Sequence, residues 1–149
     1  MKNYLIIVMD VGDPVYLDSY DQDQETNDKF ISYLNEKLLW LSKNGAAIVF
    51  SNFIGKTHPL LTIEPDRETT SINVLVDFIK SSNFEKIVYV GLHWPVCTHD
   101  GRSTSSHSLH AVINSDNIYV CPFLSRPLYR LCGGIPPTDN DTKIKQIML

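Results

Sequence analysis

No stretch of this chain is apolar for long enough to cross a bilayer as a helix. Nor is there a signal-like beginning, because Met1-Lys2-Asn3 runs straight into a short apolar segment. Positive charge is in deficit: 13 Lys and Arg against 17 Asp and Glu leave a formal charge of −4, which argues against a general binder of nucleic acid or of an anionic membrane. Cysteine is scarce, with only Cys97, Cys121 and Cys132 and no C-x-x-C pair. An odd, unpaired set suits a reducing compartment rather than a disulfide framework, so a cytoplasmic location is the expectation. Phosphate-binding signatures are missing as well. There is no Gly-x-Gly-x-x-Gly and no P-loop, Cys97 and Arg102 stand one residue short of a Cys-x5-Arg cradle, and Gly12 occupies the second position of an Asp-x-Asp pair.

What is present describes one globular domain. The 149 residues, 43% hydrophobic and 20% charged, are enough for a real core and too few for a second one. Tyr4 to Asp10, YLIIVMD, is apolar without alternation and stops at a carboxylate, the pattern of a central parallel strand covered on both faces. Gly12, Asp13 and Pro14 turn the chain into an acidic surface loop, Asp18 to Glu25. From about Thr26 the period becomes helical, with Phe30, Leu34, Leu38 and Leu41 on one stripe, Trp40 off its centre, and Gly45 as the stop. Ala46 to Phe50 is a second buried strand. An irregular connection, Phe53 to Glu68, then leads to a helix capped by Thr69, Thr70 or Ser71, with Ile72, Leu75, Val76 and Ile79 inward. Lys86 to Val90 is a third strand, ended by Gly91. Cys97 follows in a turn; Leu109, Val112 and Ile113 mark a short helix, and Ile118 to Cys121 a fourth strand. Pro122 to Pro137 is too rich in proline and glycine for a regular element, and 138–149 reads as a polar tail, frayed or docked.

The order β-α-β-loop-α-β-turn-α-β predicts an α/β domain over 1–137 with a mainly parallel sheet, since each parallel return needs a crossover. Ligands of such sheets bind beyond the carboxyl ends of the strands, where Asp10, the loop after Phe50 and Cys97 all fall. If the polar run Gly101 to Ser106 opens a helix, Cys97 lies near a helix N-terminus, which favours the thiolate. Trp94 is placed to stack on a planar ligand or to cover the turn. His93, Cys97, His99, Asp100, His107 and His110 are dense in metal-ligating types but lack any standard zinc spacing, so neither a metal nor a cofactor is expected.

Two stretches, LIIVMD ending at Asp10 and VYVGLHWPVC from Val88 to Cys97, resemble the isochorismatase-like cysteine hydrolases, a group that includes nicotinamidases and isochorismate hydrolases. The resemblance implies a three-layer, Rossmann-like sheet and a site of Asp, Lys and Cys. On this chain it makes Asp10 the base and Cys97 the nucleophile on a C–N bond of a small amide or related planar substrate, with an oxyanion site of backbone N–H groups around Val96 and Cys97. His93, Trp94, Val96 and Glu64 would line the substrate. Where the family has its lysine, this chain has Glu64–Pro65; Lys56 of the same connection is the candidate substitute, a solvated loop lysine being the other reading of it. The rival reading is an inactive binding protein that has lost the lysine. A third is an Asp10-only acid acting on a vinyl ether. The expected partner is a small molecule, with no nucleic acid or membrane, and a homo-oligomer is left open.

Overall fold

The computed structural model describes residues 3–12, 24–53, 55–94, 102–127 and 144–149. Strands β1 (Tyr4–Met9), β2 (Ala47–Ser51), β3 (Arg67–Glu68), β4 (Lys86–Trp94), β5 (Ile118–Pro127) and β6 (Lys145–Gln146) form one sheet in the order β3-β2-β1-β4-β5-β6. Every pair in it is parallel. Three helices are described: α1 (Gln24–Lys43), α2 (Ile72–Lys80) and α3 (Ser106–Ile113). The domain is thus α/β, as its pattern of apolar runs predicts.

Alternate residues of the central strands enter two cores. Ile6, Val8, Ile48, Phe50, Val88 and Val90 meet the α1 stripe of Ile31, Leu34, Leu38 and Leu41. Leu5, Ile7, Met9, Val49, Ile87 and Tyr89 face Leu75 and Val76 of α2 and Leu109 of α3. Burial on both faces is why these strands lack the alternation of a half-exposed strand. The helical stripe turns slightly from its expected line, with Ile31 fully buried and Phe30 only partly so. Trp40 is half exposed, with the Lys37 ammonium 4.7 Å from its ring. Ser71 is the cap of α2, its Oγ accepting the Val74 N–H at 3.4 Å.

Four elements differ from expectation. The stretch read as an irregular connection, Phe53 to Glu68, ends in the edge strand β3, whose Arg67 and Glu68 pair with Val49 and Phe50 of β2. Gly91 does not end β4. It carries a bulge, pairs with Met9 of β1, and the strand runs on to Trp94. Its φ of 100° belongs to glycine, and a Cβ there would stand 2.5 Å from the Met9 carbonyl oxygen. Likewise β5 does not stop at Cys121: its register shifts, and Ser125, Arg126 and Pro127 resume pairing with β4. The Ser125 hydroxyl donates to the Cys121 carbonyl at 2.8 Å and so satisfies the interrupted backbone. The sixth strand comes from the segment expected as a polar tail, where Ile144 is buried and Ile147 and Leu149 pack on the α1 side of the core.

The strand order sets the location of the site. From β1 the chain moves to β2 and β3 on one side, then returns to β4 on the other side of β1. The carboxyl ends of β1 and β4 therefore border the point where the winding reverses, the usual ligand crevice of open parallel sheets.

Candidate active site at the carboxyl edge of the sheet

Asp10 directly follows β1 at this reversal and is fully buried. Its backbone is left-handed, with φ of 52°, a region that Asp tolerates better than most residues. The Asp10 N–H donates to the Ser51 carbonyl at 3.0 Å, which ties it to the end of β2. The turn out of β1 aims the carboxylate at two donors from other connections. Oδ1 accepts the Phe53 backbone N–H at 2.9 Å, and Oδ2 accepts the Arg102 Nε–H at 3.2 Å. A buried carboxylate needs such partners, since an unpaired one would be expelled or neutralised.

Arg102 is held from several directions. Its N–H donates to Ser105 Oγ at 2.8 Å, and its carbonyl accepts the Ser105 N–H at 3.2 Å and the Ser108 hydroxyl at 3.2 Å. The guanidinium lies 5.0 Å from the Phe53 ring, a cation–π distance. Two residues on, buried Thr104 is fastened to two strands: the Tyr89 hydroxyl donates to its carbonyl at 2.6 Å, and its Oγ1 pairs with Ser51 Oγ at 2.6 Å. Complete burial pushes the Tyr89 phenol well above its usual pKa by desolvation of the phenolate.

Beside these residues a cleft of about 460 Å³ opens between the connections after β2 and β3, lined by Asn52, Lys56, Thr57, Glu68, Thr69 and Thr70. The Ser103 hydroxyl donates to the Thr70 carbonyl at 3.0 Å, joining the cleft wall to the Arg102 segment. One edge of the connection is fixed by His58, whose N–H donates to the Val11 carbonyl at 3.0 Å and whose Nδ1 accepts the Leu60 N–H at 3.1 Å.

The residues singled out in the sequence distribute unevenly around this centre. Lys56 is exposed and lines the cleft, whereas the cation within ion-pair distance of Asp10 among the described residues is Arg102. Glu64 is exposed, on a stretch whose Thr62 and Ile63 N–H groups donate to Asn35 Oδ1 of α1 at 2.9 and 3.2 Å. His93 and Trp94 belong to the end of β4 rather than to a turn. Val96 and Cys97, with His99 and Asp100, lie outside the described residues. Among the described residues no group of three or more His, Cys, Asp or Glu is arranged to hold a metal, and no helix is long and apolar enough to cross a membrane. Arg102 and the Phe53 amide carry no signal in the sequence as partners of Asp10: the arginine stands 92 positions from the aspartate, and a backbone donor leaves no side-chain signature.

Among solved structures, the crystal structure of an isochorismatase family protein is similar to this chain, with a TM-score of 0.58 and 14% sequence identity over 84% of this chain and 81% of that one. The likeness is one of fold. No family model matches the chain, and no curated protein matches it in sequence.

Proposed function

We propose that this protein is a cysteine hydrolase that cleaves a C–N bond in a small amide or related planar substrate. Cys97 is the nucleophile and Asp10 the base. The observation that carries the reading is the Asp10 carboxylate: fully buried, fixed through both oxygens, and set at the reversal point of the sheet beside a polar cleft. The fold shared with an isochorismatase family protein supports it, as does the sequence position of Cys97 in the connection from β4 to α3, the connection that also supplies Arg102.

In this reaction Asp10 takes the thiol proton as the Cys97 sulfur attacks the carbonyl carbon and forms a C–S bond. The tetrahedral intermediate collapses with loss of the C–N bond, and the amine leaves with the proton held by Asp10. Water then attacks the thioester carbon with Asp10 as general base; the C–S bond breaks, releasing the acid and restoring the thiol. Backbone N–H groups around Val96 and Cys97 are the proposed oxyanion donors. Asn52, Thr57, Thr69 and Thr70 offer polar partners to the substrate in the cleft, with Lys56 at hand for an anionic substituent.

A second reading is a non-catalytic binding protein on the same fold, and one observation favours it. Phe53 and Arg102 engage both oxygens of Asp10, an arrangement that a purely structural carboxylate would also need. A panel of small amides and imides separates the two. Turnover that falls at least about 100-fold in both Cys97→Ala and Asp10→Asn is the expected result. Turnover that survives either substitution would reject the assigned roles. Ligand-induced thermal shifts without turnover, together with an unreactive Cys97 thiol in peptide-resolved alkylation, would favour the binding protein.

A further inference from the structure

We infer that Arg102 is the positioning residue of this site, the fixed cation that orients the Asp10 carboxylate for proton transfer; the catalytic half of the inference rests on the hydrolase reading above. Three residues close a clasp. The Phe53 N–H holds Oδ1, the Arg102 Nε–H holds Oδ2, and the Arg102 guanidinium lies over the Phe53 ring. The carboxylate plane is thereby set from both sides by groups that come from two different connections.

The clasp has a rigid base. Thr104 is locked to β4 through Tyr89 and to β2 through Ser51, while Ser105 and Ser108 tie the Arg102 backbone into the first turn of α3. Arg102 reaches Asp10 from a connection pinned to β4 and β2 through Thr104, whereas Lys56 is exposed at the cleft. The chemistry of the two cations also differs. A guanidinium presents a planar fork and does not titrate in the working range of a protein, so it orients and balances charge without donating a proton. Proton movement then belongs to Asp10 alone. The Arg102 side chain is one third exposed while the Asp10 side chain it pairs with is fully buried, so the ion pair covers the carboxylate on that side.

The experiment compares the full-length protein with Arg102→Gln, Arg102→Lys, Asp10→Asn and the double variant Asp10→Asn/Arg102→Gln. On the best substrate of the amide panel, Arg102→Gln is expected to lower kcat/KM about 100-fold, the scale of a catalytic group displaced by about 1 Å. Arg102→Lys should recover all but about tenfold and acquire an alkaline limb near the ordinary lysine pKa of about 10.4, a limb that arginine does not produce. In the Asp10→Asn background, Arg102→Gln should cost less than about twofold, because a residue that acts through Asp10 has nothing further to lose there. An undiminished rate in Arg102→Gln, or the same loss in both backgrounds, would overturn the assignment. If the panel yields no turnover, the hydrolase reading falls and orientation of Asp10 is decided by the Phe53 amide. Its hydrogen exchange should accelerate at least about tenfold in Arg102→Gln and return toward wild type in Arg102→Lys. Unchanged exchange would end the proposal independently of any activity.

Discussion

Gly91 is where a single methyl group should disturb the base of the site. A Cβ added there would lie 2.5 Å from the carbonyl oxygen and 2.9 Å from the nitrogen of Met9, both backbone atoms of the central strand and both immediately before Asp10. No side-chain rotation relieves such a contact, so either β1 or β4 must move. The φ of 100° adds a second penalty that would remain even with open space around it. Backbone strain of this type costs about 1–3 kcal/mol, and extra atoms forced into a packed interior cost about 1–3 kcal/mol more. Taking the middle of each range, Gly91→Ala should destabilise the protein by about 4 kcal/mol, a large share of the about 5–15 kcal/mol that holds a domain folded. With a urea slope of about 2 kcal/mol per molar, the unfolding midpoint falls by about 2 M. Gly55→Ala is the control: φ is 62° there and the residue is exposed, so backbone strain of about 1 kcal/mol is the expected cost. Urea melts followed by circular dichroism compare the two. Equal losses at Gly91 and Gly55, or a Gly91→Ala midpoint within about 0.3 M of wild type, would refute the argument from the Met9 contact.

Two further outcomes follow from the polar layer under Arg102. Because the Tyr89 phenol titrates above its usual value only in the folded state, the folded protein holds more protons than the unfolded chain above about pH 10, and stability should fall as pH rises from there by up to about 1.4 kcal/mol per pH unit. Tyr89→Phe should flatten that slope while costing about 1–3 kcal/mol at neutral pH, because the buried Thr104 carbonyl loses its 2.6 Å donor; an unchanged alkaline slope in urea melts would contradict the assignment. For the Ser51 and Thr104 hydroxyls, 2.6 Å apart and both buried, Ser51→Ala and Thr104→Val should each cost about 1–3 kcal/mol, and the double variant less than their sum. Strict additivity would mean that the two hydroxyls do not support one another.

How much of this was legible in the sequence depends on how local each cause is. The strands β1 and β2 and the first half of β4 are runs of β-branched and apolar residues buried on both faces, so composition alone marks them. The continuation of β4 was missed because a glycine within a strand pattern reads equally as a stop or as a close approach of two backbones, and only the second strand tells which. Pro122 hid the second half of β5, since proline cannot donate to a ladder; the chain solves this by shifting register and closing the Cys121 carbonyl with Ser125. The last strand is two polar residues long, Lys145–Gln146, and is held by its neighbours Ile144 and Ile147 rather than by its own pattern. Asp10 was visible because a carboxylate ends an apolar run. Its cation was not, because Arg102 is 92 positions away and no spacing rule joins them.

The reversal of winding between β1 and β4 explains why such distant groups meet. Asp10 comes from the end of β1 itself, Phe53 from the connection leaving β2 on one side, and Arg102 from the connection leaving β4 on the other. A carboxyl group at this junction has neighbours from both halves of the sheet, and that is what allows it to be fully buried with both oxygens partnered. Were the sheet wound in one direction only, the connections after β2 and β4 would not flank the end of β1, and the same aspartate would have to face solvent or find its partners along its own loop. The clasp around Asp10 is therefore a property of the strand order. Substitutions that loosen β1 against β4, Gly91→Ala foremost, should disturb the Phe53 amide and the Asp10–Arg102 pair together, although none of these three residues is touched by the added methyl group.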